Sequence, residues 1–115
     1  MKDFNGKIQY KDKEYLLVFN LNVMETIQEE YGTLDEWGGL TDGSRGEPNA
    51  KAVLFGFTQM INEGIDISNE ENGTDIPFMT KKQVGRLITE VGLMEATKAM
   101  NETVIESTKS QEKNE

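Results

Sequence analysis

Residues 80–107 read TKKQVGRLITEVGLMEATKAMNETVIES, and this stretch decides what the remainder of the chain must do. Thr80 and Gln83 form a capping-box pair, in which hydroxyl and amide each satisfy a backbone N–H that the first helical turn leaves unpaired. Val84, Leu87, Ile88 and Val91 recur at i, i+3, i+4, i+7, so they share one face of a helix. Gly92 is placed to end that helix in the left-handed conformation that residues with a Cβ resist. A second apolar line follows through Leu93, Thr97, Met100 and Val104 or Ile105. Two helices with one apolar side each are not stable alone, so upstream segments must cover them.

Those segments appear in order. Residues 4–19, FNGKIQYKDKEYLLVF, alternate as a β-hairpin. Ile8 and Tyr10 lie on one arm and Tyr15, Leu17 and Phe19 on the other, with a turn near Lys11-Asp12-Lys13. Asn22 to Tyr31 reads as a helix capped by Asn22 and stopped by Gly32. Thr33 with Glu36 caps a single turn, TLDEW, which Gly38-Gly39 is expected to break. Residues 38–49 read as a flexible loop. The next helix is predicted from Pro48 through Val53, Leu54, Phe57, Met60 and Ile61 to Gly64. Residues 66–75, DISNEENGTD, read as an acidic loop whose register fails the calcium-loop pattern: a frame that places Gly73 correctly ends on Met79, not Glu. Ile76 to Met79 then lead into Thr80, with Phe78 or Met79 set to staple the helix start. The expected architecture is α+β, an N-terminal β-hairpin followed by a bundle of about four helices. It forms one domain over residues 1–107, with 108–115 as a disordered tail.

The 115 residues carry a net charge of −9, concentrated in the middle of the chain, and contain neither cysteine nor histidine. Disulfides and thiolate metal sites are thereby excluded, and the commonest general base and metal ligand is missing. An acidic middle repels phosphate backbones, which argues against nucleic acid as a partner. The longest apolar runs, Leu16 to Phe19 and Ala52 to Phe55, fall far short of the ~20 residues that span a bilayer. The opening MKDFNGKIQY holds no apolar run of a signal peptide. A soluble, unexported, cytoplasmic protein without membrane contact is the simplest reading.

Catalytic arrangements do not emerge. Ser44, Ser68, Ser107 and Ser110 have no histidine to activate them. Asp35 and Glu36 are adjacent and diverge. The glycine-rich loop matches neither GxxxxGK[ST] nor GxGxxG. A non-enzymatic protein without cofactor or metal is expected.

The succession of features resembles the tail assembly chaperones of long-tailed bacteriophages, prophages and gene transfer agents. The likeness rests on a short hairpin ending in Tyr15-Leu16-Leu17-Val18-Phe19, the Asn22–Gly32 helix, the glycine-rich loop and the Val53–Gly64 helix. It continues through a phrase of the type LTxEEVGxLIxxxG…A, here MTKKQVGRLITEVGLMEATKAM, and covers residues 6–107. Lys81 and Lys82 stand where that phrase carries acids. The resemblance implies a protein of the host cytoplasm that binds the tape measure protein, keeps it soluble and recruits tail tube subunits. In many members a programmed frameshift adds a longer form. A tape measure chain is long, helical and apolar on one side, so it needs a groove before assembly. The candidate contact residues are Trp37, Leu40, Phe55, Phe78, Met79, Met94 and Met100. The methionines are adaptable thioethers that suit varied apolar partners or, alternatively, fill the core. An exposed hairpin edge also suggests a homo-oligomer. The alternatives are a structural component of a phage tail or head–tail junction, and a small acidic bacterial adaptor.

Overall fold

The hairpin turns on two residues. Gly6–Tyr10 (β1) pairs antiparallel with Lys13–Leu17 (β2), closing at Tyr10 opposite Lys13. Lys11 and Asp12 make the turn at φ of 51° and 65°, the sense that matches the right-handed twist of the strands. The computed structural model describes residues 6–113, with side chains placed through Lys109, so Phe4 and Asn5 of the expected hairpin lie outside it. Five helices follow among the described residues: α1 (Leu21–Tyr31), α2 (Leu34–Thr41), α3 (Ala50–Asn72), α4 (Lys81–Val91) and α5 (Leu93–Lys113). The architecture is α+β with an N-terminal hairpin, as the sequence predicts, with one helix more than the expected four.

The differences from expectation have local causes. The cap of α1 is Asn20, not Asn22: the Asn20 side chain accepts from the Val23 N–H at 3.2 Å. Asn20 and Asn22 both donate to Glu63 on α3, at 2.8 and 3.2 Å, so the acid anchors the start of α1. Gly38-Gly39 does not break α2, which continues to Thr41. The Arg45 side chain folds back over Gly39, where a Cβ would meet the guanidinium Nε at 2.7 Å and push that flexible group aside. The start of α3 is capped by Asn49, whose side chain accepts from the Ala52 N–H at 3.0 Å, so Pro48 precedes the cap. Gly64 does not stop this helix, and most of the expected acidic loop is its last two turns. The stop is Gly73, left-handed at φ 65° and ψ 31°. The capping box at Thr80 forms as expected, with Thr80 N–H on Gln83 Oε1 at 2.8 Å and Gln83 N–H on Thr80 Oγ1 at 3.1 Å. Gly92 has φ 106° but ψ 133°, a positive-φ setting outside the left-handed helical well, and it is the single residue between α4 and α5. That helix runs past Ser107 to Lys113, so the expected tail is helical over 108–113, and residues 114–115 lie outside the described part.

Helix α3 is the spine. It packs against β2, α1, α2 and α4. Its buried line, Val53, Phe57, Met60 and Ile61, meets Leu17 and Phe19 from the hairpin, Val23 and Ile27 from α1, and Val84, Leu87 and Ile88 from α4. Helix α5 adds Ala96 and Met100, β1 adds Ile8, α2 adds Trp37, and Ala52 of α3 completes the core. Two of its glycines are contact points: a Cβ on Gly56 would run into the Trp37 ring, and one on Gly64 into the Leu16 carbonyl. The segment between α3 and α4 lies along the spine as a strap. Asn62 bonds both backbone groups of Met79, at 2.8 and 2.9 Å, and Asn69 bonds both of Ile76, each at 3.0 Å.

A matched pair of substitutions separates the two uses of glycine. Gly64→Ala forces a methyl against a backbone carbonyl, and overpacking of that kind costs about 1–3 kcal/mol, more than the gain in helix propensity. Gly85, on α4, would place its Cβ only at ordinary contact, 3.6 Å from Leu54. Gly85→Ala is therefore expected to stabilise by about 0.5–1 kcal/mol. Thermal unfolding followed by circular dichroism should show Tm moving in opposite directions, down for Gly64→Ala and up for Gly85→Ala.

Candidate partner-binding surface

Two apolar depressions meet at Leu93. The first, of about 1100 Å³, lies between the N-terminal half of α3 and α4. Val53, Leu54 and Ile88 line it, and Ala50 and Gly85 open it because neither carries a side chain large enough to fill the gap. Lys81, Lys82, Arg86 and Glu90 stand around it. The second, of about 920 Å³, lies between α5 and the 42–49 loop, with Met94 and Ile105 exposed along it. Leu93 is 43 % exposed and Met94 81 %, so large apolar side chains face solvent at the junction. Contiguous exposed apolar surface of this kind marks interaction sites more often than bare surface.

The seven residues singled out in the sequence separate under this geometry. Trp37 and Met100 are interior and are corrected to packing roles. Trp37 is buried against α3 with its indole N–H on the Ala52 carbonyl at 2.9 Å, and Met100 is fully buried. Leu40 is half-buried against the core. Phe55 meets Tyr31 edge to face, ring centroids 5.6 Å apart, so its contact lies within the chain. Met79 packs on the core with its backbone held by Asn62, while Phe78, 56 % exposed, projects from the strap. Only Met94 among the seven joins the depressions. Leu54, Gly85, Ile88, Leu93 and Ile105 form the rest of these surfaces and were not singled out. The available signal was a glycine within an otherwise strongly amphipathic helix.

The electrostatics of α4 are unusual. Its first turn holds no acid and two lysines, although the positive end of the helix dipole favours acids there. Among the described residues, no carboxylate lies within 4 Å of Lys81, Lys82 or Arg86; the ion pairs present are Lys7–Glu14, Arg45–Glu36, Lys51–Glu30 and Lys109–Glu106. Three unpaired cations thus border an apolar groove on a chain of net charge −9. Beside the second depression, Ser44 donates its N–H to Asp42 at 2.8 Å, and this bond holds the Asp42 carboxyl below its usual range.

No group of three or more Asp or Glu among the described residues is arranged to hold a metal ion, and no described helix is long and apolar enough to cross a membrane. Comparison with protein-family models, with curated proteins and with solved structures finds no match to the chain.

The loop beside the second depression is tied to α2 by Arg45, whose guanidinium donates to Glu36 at 2.9 Å. That bond and the charge behind it hold the Glu36 carboxyl below its usual value. A depressed carboxylate contributes stability at neutral pH that disappears as pH falls through its folded-state pKa. Arg45→Gln should return the Glu36 titration to the ordinary carboxylate range in a carbon-detected NMR pH series. An unchanged midpoint would show that the pair does not persist in solution.

Proposed function

We propose that this protein is a phage tail assembly chaperone, which binds the tape measure protein, keeps it soluble and assists tail tube assembly. It acts in the host cell cytoplasm by protein–protein binding, without cofactor or catalysis, and associates with itself as well as with tape measure and tail tube subunits. The observation that carries this reading is the pair of open apolar depressions joined at Leu93, beside Met94 at 81 % exposure. A helix-in-groove surface left uncovered is what a holder of long amphipathic helices requires. The sequence resemblance over residues 6–107 supports the same reading.

Co-expression with the tape measure protein of the same gene cluster tests the proposal. The expected result is a co-purifying complex and a larger soluble fraction of the tape measure chain, with the protein missing from mature particles. Unchanged solubility without a complex excludes the chaperone reading, and retention in purified particles favours a structural tail subunit instead.

A further inference from the structure

We infer that the α3–α4 groove seats an acidic amphipathic helix of another protein, its apolar stripe on Leu54 and Leu93 around Gly85 and its flanking carboxylates on Lys81, Lys82 and Arg86. The inference deepens the chaperone reading, on which it rests for the expectation of a protein partner, by naming the surface and the chemistry it selects.

Shape comes first. Helix α4 spans 11 residues, which at 1.5 Å per residue makes a wall of about 16 Å. That is long enough to meet side chains at i, i+4 and i+7 of an apposed helix. Gly85 sits in the middle of this wall, where an added Cβ would meet only the Leu54 side chain, at an ordinary contact of 3.6 Å. The absent side chain leaves room for a partner's central anchor. Charge comes second. Lys81 and Lys82 oppose the dipole of their own helix, and neither they nor Arg86 has a carboxylate within reach among the described residues. A partner's acids would relieve this cost, and the complementarity would also steer encounter. Glu90, at the far end of the same wall, gives the groove a direction. The carboxylates of the incoming helix belong at the Lys81 end, and its neutral or basic part at the Glu90 end.

Among its described residues, a second copy of this chain does not supply such a helix. The exposed positions of α1 include Leu21 but otherwise carry Asn22, Glu25, Gln28, Glu29 and Glu30. The acidic end of α3 exposes Asp66, Glu70 and Glu71, and the one apolar residue between them, Ile67, is half-buried. Along the described part of α5, Met94 and Ile105 share a face about three turns apart, but Lys98, Asn101 and Glu102 stand between them and no continuous apolar stripe forms. The occupant is therefore a different polypeptide.

The test is fluorescence anisotropy on the full chain with synthetic helices bearing one leucine stripe, flanked either by glutamates or by lysines. The glutamate-flanked helix should bind, and more weakly as salt is raised. The lysine-flanked helix should bind at least about tenfold more weakly, since like charges would meet at the rim. Lys81→Glu with Lys82→Glu should reverse that order. Gly85→Leu fills the groove with a better helix former, so it should abolish binding while Tm stays level or rises. Equal affinity for both helices, or full binding by Gly85→Leu, overturns the inference. So does a wild-type dimer that Gly85→Leu dissociates in sedimentation, because the groove would then belong to a second copy. A tape measure complex that survives Gly85→Leu removes the groove and leaves the chaperone reading standing. Peptide selectivity without any tape measure complex does the reverse.

Discussion

Close approach to one helix organises the molecule. Where β2 crosses α3, the Leu16 carbonyl occupies the space a Gly64 side chain would need, and eight residues earlier the Trp37 ring does the same at Gly56. The Val18 N–H donates to the Met60 carbonyl at 3.2 Å, so the chain leaving the hairpin is bonded directly to the helix backbone. Backbone-to-helix contact at this range draws Leu17 and Phe19 fully into the layer formed by Phe57, Met60 and Ile61. The hairpin has only two strands and would be marginal in water by itself. Its persistence depends on this seat. A similar contact recurs across the molecule, where Gly6 of β1 lies against Thr103 of α5.

The same residue type has the opposite consequence on α4. At Gly56 and Gly64 a neighbour fills the missing side chain's place, and at Gly85 almost nothing does. The apolar face of α4 is thus divided: Val84, Leu87 and Ile88 are buried against α3 and its neighbours, whereas the surface at Gly85, with Ile88 only as its floor, stays open. Closing the core and leaving a groove are two results of where small residues fall along adjacent helices.

Much of this was legible in the residues. The capping box at Thr80, the face of Val84, Leu87 and Ile88, and the hairpin alternation depend on local chemistry and spacing, and they appear as expected. Gly39 and Gly64 were misread because glycine has two uses. From sequence each looks like a helix stop, while in the fold each is a point of contact with residues far away or folded back, Leu16 in one case and Arg45 in the other. The acidic run from Asp66 to Asn72 gave a loop signal because an exposed helical end needs few apolar residues, and its true stop, Gly73, lies beyond it. Trp37 and Met100 were contact candidates by residue type, yet burial is a property of the assembled core. The surface grooves were least legible, since they are made of what α3 and α4 leave uncovered in space.

The strap between α3 and α4 is gripped by its main chain. Asn62 and Asn69, two helical turns apart, each offer one amide to both polar groups of a single strap residue, much as a neighbouring strand would. Grip of this kind fixes the main chain at positions 76 and 79 and asks nothing of the side chain at 78, which is exposed. Evolution can therefore redraw what the strap displays while the two asparagines keep its path, giving the molecule a rewritable edge beside an unchanging frame.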